Sequence, residues 1–268
     1  MTDFVFIERA DDERIARFRL RERGLASRAE RRDDAGAGLF LAEGDLVVER
    51  ALTAGCVPVA ALADAHHTPA IATQLANAGA EVYVGGDELR ALVTGLGMPH
   101  PIIALFARPP RPSADDLTAH ANRLVVIEAV DNPVNVGSIV RNAAALGWDG
   151  LLADHTSADP LSRRALRVAM GTAFSLPHAR TTQLTEVIAH HREQDPAMTW
   201  YALTPSPDAV DITEITPTGR RALLIGSERS GLSDELLKIT QPVRIPMAHG
   251  VDSLNAAAAA AVACYALR

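Results

Sequence analysis

Short apolar runs alternate with amphipathic segments along the second half of the chain. The runs predict strands, because buried strands of a parallel sheet are almost continuously apolar. They lie at residues 124–129, 150–152, 173–176, 199–203, 222–225 and 243–245. The amphipathic segments predict helices at residues 136–146, 161–170, 184–191, 234–239 and 254–267. This alternation predicts an α/β domain that binds ligands at the carboxyl ends of its strands.

The first half repeats this alternation on a smaller scale. Strands are expected at residues 57–62, 81–84 and 102–106, with helices between them, and residues 14–32 are expected to form a polar helix. The Pro-rich segment 108–113 is typical of a stiff linker. We therefore predict a small α/β domain at residues 1–110, a linker at 111–120 and a second domain at 121–268.

Composition indicates an ordinary soluble protein, with 48% apolar and 22% charged residues. The N-terminus is acidic and lacks the apolar segment of a signal peptide. The longest apolar run, residues 254–267, is too short to cross a bilayer, so we expect a cytoplasmic location and no membrane partner. Cys56 and Cys264 match no metal-binding spacing, and no metal is expected.

The net charge of −7 is unfavourable for binding nucleic acid through its phosphates. One basic segment stands against this balance. From Arg14 to Arg32 there are eight arginines against Glu22 and Glu30. The segment is either an RNA contact or the solvated face of a helix.

Three loops that follow predicted strands carry polar residues suited to chemistry. The first reads D-N-P-V-N-V-G-S-I-V-R over residues 131–141. Asn135 is expected to cap the helix that follows, and Arg141 lies on the second turn of that helix. A capped helix with an exposed arginine would give the same pattern, so this loop alone does not define a function.

The second and third loops follow the strands at 222–225 and 243–245. The second reads G-S-E-R-S-G, and its spacing and its carboxylate, Glu228, disfavour a dinucleotide-binding dehydrogenase. The third reads I-P-M-A-H-G-V-D-S-L-N and leads into an Ala-rich helix. Ser253 is the expected N-cap of this helix, with Asn255 in its first turn. Taken singly, both loops are also compatible with plain turns.

In this order and at these spacings, the three loops resemble the motifs of the SpoU/TrmH RNA 2′-O-methyltransferases. The resemblance rests on N-x-G-x-x-x-R, then G-S-E-x-x-G, then I-P-M…S-L-N before a terminal helix, and it extends from about Leu124 to the end. The first half resembles, more weakly, the ribosomal-protein-like RNA-binding domain of many members. Its marker is G-L-F-L-A-E-G at residues 38–44.

The resemblance implies a fold, a cofactor and partners. It implies an α/β domain with a deep trefoil knot, a rare exception to the usual connection rules, preceded by the smaller RNA-binding domain. It also implies a homodimer formed through the knot region, and S-adenosylmethionine bound largely by backbone groups. The implied cofactor-binding residues are Leu203, Thr204, Gly226, Ile245, Met247 and Leu254. A side chain at Gly226 would, on this interpretation, fill the space of the adenosine.

The resemblance further implies transfer of a methyl group to a ribose 2′-hydroxyl of RNA. The implied catalytic residues are Asn135, Arg141, Glu228, Ser253 and Asn255. An arginine is always protonated, so Arg141 would stabilise the developing charge on the hydroxyl rather than act as a base. The RNA is expected to be rRNA, 23S above all, with tRNA as the second choice.

Two other functions stay open at this point. One is a non-catalytic RNA-binding or ribosome-assembly protein that keeps the knotted fold without the chemistry. The other is a base methyltransferase from a sister family, although those families typically lack the N-x-G-x-x-x-R loop.

Overall fold

The computed structural model describes residues 4–27, 38–95, 97–248 and 250–268. Within these ranges the strands are β1 Val5–Phe6, β2 Leu39–Glu43, β3 Pro58–Asp64, β4 Glu81–Gly85, β5 Ile102–Ala107, β6 Arg123–Ile127, β7 Gly150–Asp154, β8 His178–Thr181, β9 Thr199–Leu203, β10 Val210–Asp211, β11 Arg221–Ile225 and β12 Gln241–Arg244. The α-helices are α1 Glu22–Leu25, α2 Asp45–Thr53, α3 Ile71–Asn77, α4 Asp87–Thr94, α5 Ala114–His120, α6 Pro133–Ala145, α7 Arg163–Val168, α8 Leu184–Gln194, α9 Asp234–Lys238 and α10 Ala256–Ala266. Short 3-10 helices cover Glu13–Arg19, Thr172–Phe174 and Ile212–Glu214.

The chain divides into two compact units. The first contains the residues up to Pro110 together with Leu161–Phe174, and the second contains Arg111–Pro160 together with Ser175–Arg268. Both are α/β units, as the alternation of apolar runs predicts. No helix in the described ranges is long and apolar enough to cross a membrane.

The first unit is built on a mixed sheet with the strand order β1-β4-β3-β5-β2, of which β2 and β3 pair antiparallel with β5. The segment 161–174 joins this unit through buried contacts. Glu43, at the end of β2, accepts a hydrogen bond of 2.5 Å from Arg163 Nε, and the rings of Phe40 and Phe174 lie 5.5 Å apart. A buried carboxylate needs such partners, so Glu43 fixes α7 to β2.

The second unit is built on a parallel sheet with the order β10-β12-β9-β11-β6-β7-β8. The central strands β6 and β11 are fully buried along most of their length, which explains their continuous apolar runs. Helix α10 returns the chain beside α6, where Asn142 Nδ2 donates to the carbonyl of Ala257 at 3.1 Å. Trp148 Nε1 donates to the carbonyl of Cys264 at 3.0 Å, which fixes the far end of the same helix.

Several predicted elements need correction. Residues 173–176 do not form a strand, since Thr172–Phe174 is a 3-10 helix and the next strand, β8, begins at His178. A short apolar run cannot distinguish a buried turn from a strand. The predicted linker 111–120 contains α5, which Ser113 caps by accepting from the amide of Asp116 at 3.0 Å.

The basic segment is also not one helix. Its described part forms the 3-10 helix Glu13–Arg19 and the short α1, and residues 28–32 lie outside the described residues. Arg14 pairs with Asp12 at 2.6 Å, and Arg19 donates to the backbone carbonyls of Ala10 and Asp12. Two of the arginines in this segment therefore bind partners within the chain.

Candidate functional site

A pocket of about 730 Å³ opens at the carboxyl ends of β9, β11 and β12. This volume lies within the range of small-molecule and cofactor sites. Its wall combines strand ends with the loop 226–231 and the segment that leads into α10. Ligands of open α/β sheets bind at such an edge.

All six predicted cofactor-binding residues line this pocket. They are Leu203, Thr204, Gly226, Ile245, Met247 and Leu254. Three of the predicted catalytic residues, Glu228, Ser253 and Asn255, line it as well. The structure therefore brings the second and third loops together around one cavity, while the role of each residue stays a prediction.

The loop 226–231 is closed on itself by short-range contacts. The amide of Gly231 donates to the carbonyl of Ser227 at 2.9 Å, and the hydroxyls of Ser227 and Ser230 lie 2.8 Å apart. A Cβ at Gly226 would overlap the backbone of Gly231 and Leu232. This overlap is a reason for glycine at position 226 that the sequence did not show, whereas the expected reason, space for adenosine, stays a prediction.

Glu228 is the centre of a polar cluster at the rim of the pocket. Its Oε1 accepts from Asn255 Nδ2 at 2.5 Å and from Asn135 Nδ2 at 3.1 Å. Asn255 Nδ2 also lies 3.1 Å from Asn135 Oδ1, so the two amides and the carboxylate form a closed triangle. One residue from each of the three loops thus meets at a single oxygen.

The N-caps of the helices that carry the two asparagines lie two or three residues away from where the sequence placed them. Asn132, not Asn135, caps α6, and its side chain accepts from the amide of Val134 at 2.9 Å. Pro133 at the first helical position fixes this start, so Asn135 lies in the first turn with its side chain free to reach Glu228.

At the other helix, Asn255 and not Ser253 is the N-cap. Its Oδ1 accepts from the amides of Ala257 at 3.0 Å and Ala258 at 3.4 Å. The amide group thus performs two tasks, because Oδ1 caps α10 while Nδ2 donates to Glu228. Ser253 is exposed on the pocket wall.

Arg141 is placed apart from the other predicted catalytic residues. It is exposed on α6, six residues beyond Asn135, and does not line the pocket. Among the described residues it makes no hydrogen bond or ion pair. Its guanidinium is therefore available for a partner outside this chain, and its predicted role is not tested by the structure.

The pocket wall suits an adenosine joined to a positively charged group. Apolar side chains at the ends of three strands, Leu203, Ile225 and Ile245, line the cavity, and apolar residues are the usual surround of a base. Carboxylates at Glu228, Asp234 and Asp252 line it as well and suit an ammonium or sulfonium cation. In the described ranges, no group of three or more His, Cys, Asp or Glu side chains is placed to hold a metal ion.

One supporting contact had no clear signal in the sequence. Glu128, directly after β6, accepts from the amide of Ser233 at 2.7 Å and donates its own amide to the carbonyl of Ile225 at 3.0 Å. It joins the end of β6 to the segment that follows the loop 226–231. Only the pairing of β6 with β11 brings these residues together, and one sequence does not show strand order.

A parallel α/β unit with a loop-built pocket at its strand ends is the architecture of many small-molecule-binding enzymes. Comparison with known proteins identifies the family. The model of the SpoU rRNA Methylase family matches residues 122–265. The chain belongs to this family, as its three motifs predict.

Individual relatives agree with this assignment. The chain is 37% identical over 234 residues to an uncharacterized tRNA/rRNA methyltransferase of Mycobacterium tuberculosis, covering 86% of this chain and 81% of the relative. It is 29% identical to a 23S rRNA (guanosine(2553)-2′-O)-methyltransferase of Bacillus subtilis, covering 85% and 88%. The SpoU methyltransferase AviRb of Streptomyces viridochromogenes, solved in complex with AdoMet, superposes with a TM-score of 0.79 at 27% identity, covering 96% and 97%.

Proposed function

We propose that this protein transfers a methyl group from S-adenosylmethionine to a ribose 2′-hydroxyl of RNA. The observation that carries the proposal is the meeting of Asn135, Glu228 and Asn255 at the rim of the pocket that the six predicted cofactor residues line. Family membership and the AdoMet complex of a similar structure support the same cofactor.

The pocket residues divide into cofactor-facing and rim groups. When bound, S-adenosylmethionine supplies a methyl group that its sulfonium already activates. Leu203, Ile245 and Leu254 would surround the adenosine and Asp234 would face the cationic end. A metal is unnecessary for this chemistry, because the methyl group needs no further activation.

The rim group orients the hydroxyl that accepts the methyl. Glu228 Oε1 accepts from the side-chain amides of Asn135 and Asn255 and from the backbone amide of Ala256, whereas Oε2 makes no hydrogen bond among the described residues. Oε2 can therefore accept a hydrogen bond from the ribose hydroxyl, hold it in line with the pocket, and take up the proton that the hydroxyl loses as it accepts the methyl group. The cationic guanidinium of Arg141 would bind a phosphate of the RNA or stabilise the developing oxyanion.

We infer that the RNA is ribosomal rather than transfer RNA, and 23S rRNA in particular. The support is the 23S rRNA relative of Bacillus subtilis, whose match covers 85% of this chain. The predicted division into an RNA-binding part at 1–110, a connecting segment at 111–120 that contains α5, and a catalytic part at 121–268 belongs to the same proposal. A net charge of −7 means that RNA contacts are local, and exposed arginines such as Arg17 and Arg23 are candidates.

We also propose a knotted, dimeric catalytic unit. Helix α10 presents the exposed apolar side chains of Val262 and Tyr265 on a thin Ala-rich helix, which suits close packing against a second copy. Asn255 lies against Glu228 as the chain passes the second loop, as expected if the C-terminal segment forms the trefoil knot. The cytoplasmic location stays a prediction.

Transfer of tritium from methyl-labelled S-adenosylmethionine tests the proposal. Purified 23S rRNA, 16S rRNA and bulk tRNA are incubated with the wild type, with Arg141→Ala and with Glu228→Gln. The matched controls are Arg192→Ala and Glu186→Gln, two residues of α8 outside the pocket wall. We expect label in 23S rRNA, retention of activity in both controls and loss in both site variants. Cofactor binding without transfer to any of these RNAs would instead point to a substrate that is available only during ribosome assembly. Neither transfer nor cofactor binding would support the non-catalytic RNA-binding function.

A further inference from the structure

The turn between β6 and α6 has an unusual backbone conformation. Ala129, the second residue after β6, has a φ of +54°, in the left-handed region that residues with a Cβ rarely adopt. Glycine or asparagine is the usual choice at such a position. Some other interaction must therefore hold Ala129 in place.

Asp154, at the end of β7, supplies that interaction. It is 7% exposed, and its Oδ1 accepts from the amide of Ala129 at 2.9 Å. The same oxygen accepts from the amide and the hydroxyl of Ser157 at 3.0 and 2.5 Å. Its Oδ2 accepts from the amide of Thr156 at 2.9 Å and from the Thr156 hydroxyl. Both carboxylate oxygens thus accept hydrogen bonds from the turns that follow β6 and β7.

Ser157 extends this support by one residue. Its hydroxyl accepts from the amide of Val130 at 3.0 Å, and the carbonyl of Val130 accepts from the amide of Ala158 at 2.8 Å. Burial alone would raise the pKa of Asp154, but the hydrogen bonds from Ser157, Thr156 and Ala129 outweigh it and lower the pKa. The carboxylate is therefore charged at neutral pH, and charged acceptors form the stronger hydrogen bonds.

The supported turn leads directly to the polar cluster at the pocket. Val130 is buried, Asn132 caps α6, and Asn135 in the first turn donates to Glu228. The direction in which α6 leaves the sheet depends on the backbone at Ala129 and Val130. The pocket wall itself comes from the ends of β9, β11 and β12 and from the segment before α10, not from this turn.

We propose that Asp154, acting with Ser157, is a positioning residue that sets Asn135 against Glu228 by holding the backbone turn at Ala129. The test of this proposal by RNA methylation activity rests on the proposed function, whereas the test by hydrogen–deuterium exchange of backbone amides does not. Asp154 should therefore influence the reaction through Asn135 while leaving cofactor binding largely intact.

The first test is Asp154→Asn in the full-length protein. Asparagine has the same shape but keeps only one acceptor oxygen and no charge. We expect kcat for RNA methylation to fall about 10- to 100-fold, the scale of an ångström-sized misplacement. The Kd for S-adenosylmethionine should stay within about twofold of the wild type, because the substitution removes no contact of the pocket wall. The matched control is Asp149→Asn, which likewise leaves one acceptor oxygen for the two backbone amides of Asn122 and Arg123 at the opposite end of β6 and should leave kcat unchanged.

Two further variants distinguish positioning from loss of stability. Ala129→Gly in the Asp154→Asn protein should restore most of the lost kcat, because glycine adopts the left-handed conformation without support. Asn135→Ala should lower kcat on its own, and adding Asp154→Asn should then have little further effect, because both act through one contact. A general loss of stability would give no rescue, and the two effects would multiply.

Hydrogen–deuterium exchange gives a readout that does not depend on activity. Asp154→Asn should speed exchange of the amides at residues 129–135, and Ala129→Gly should reverse the change. Unchanged exchange at these amides, no rescue of kcat, or an equal loss of cofactor affinity would overturn the proposal. If the wild type neither binds S-adenosylmethionine nor methylates any of the RNAs, the methyltransferase function fails, and the exchange data still decide whether Asp154 holds the turn.

Discussion

Substitution of Gly226 by alanine is the sharpest single perturbation of the pocket. The added Cβ would overlap the backbone of Gly231 and Leu232, which close the same loop. No flexible side chain can move aside, so the loop 226–231 must shift as a whole. Since this loop forms part of the pocket wall and carries Glu228, both the cofactor pocket and the polar cluster should be disturbed.

The expected size follows from the nature of the collision. Overpacking by a methyl group costs about 1–3 kcal/mol where side chains can adjust. The obstacle here is backbone, so we expect the upper end, about 3 kcal/mol. If the full cost of about 3 kcal/mol is needed to bring the loop into the conformation that binds the cofactor, affinity for S-adenosylmethionine should fall about 100-fold, because 1.4 kcal/mol corresponds to a factor of ten.

Isothermal titration calorimetry with S-adenosylmethionine measures the effect, and two other glycines calibrate it. Gly231 has a φ of +67°, but an added Cβ would meet nothing within 4 Å, so Gly231→Ala should cost only about 1 kcal/mol, or at most about fivefold in affinity. Gly97 has open space and no left-handed φ, so Gly97→Ala should be neutral.

The expected order of affinity loss is therefore Gly226→Ala, then Gly231→Ala, then Gly97→Ala. Wild-type affinity in Gly226→Ala, in a protein that still unfolds cooperatively, would refute the reasoning that backbone closure of this loop shapes the pocket. An equal loss in Gly226→Ala and Gly231→Ala would refute the distinction between steric overlap and backbone strain.

Three further predictions concern stability, capping and thiol reactivity. Ala129→Gly should raise the free energy of unfolding by about 1 kcal/mol, measured by guanidinium titration, and a decrease would show that the left-handed conformation is not strained. Asn255→Ser should keep the cap of α10, with stability within about 0.5 kcal/mol, yet lose at least about tenfold in methyl transfer, because the shortest of the hydrogen bonds to Glu228 Oε1, the one from the Asn255 amide, is removed. Burial raises the pKa of the Cys56 thiol to about 11 and that of the Cys264 thiol to about 12. Ellman's reagent at about pH 8 should therefore label neither thiol in the native protein and both thiols after denaturation. Rapid labelling of either thiol in the native protein would contradict its burial.

The sequence predicted the sheet of the second unit well, because its strands are buried on both faces and read as apolar runs. The strand predicted at 222–225 lies inside β11, and the one predicted at 124–129 contains all but the first residue of β6. The three loops lie at the carboxyl ends of such strands, so their meeting at Glu228, on the rim of the pocket, follows from parallel topology and from the family motifs. These features depend on local patterns and on chain direction.

What the sequence missed depends on contacts between distant segments. Nothing local in residues 161–174 indicates that they join the first unit, since that membership rests on Arg163 reaching Glu43. The same holds for the contact of Asp154 with Ala129, which requires β6 and β7 to be neighbours. The caps at Asn132 and Asn255 were missed by a few residues, because several good capping residues stand close together and sequence alone does not rank them.

The central claim is that the product is a ribose 2′-O-methyl group made at the Asn135–Glu228–Asn255 cluster. Its most direct test is mass spectrometry of nucleosides from 23S rRNA that has been incubated with the protein and deuterium-labelled S-adenosylmethionine. We predict one labelled 2′-O-methyl nucleoside, formed by the wild type and Glu186→Gln and absent with Glu228→Gln. Label on a base instead of a ribose, or equal labelling by Glu228→Gln, would contradict the account.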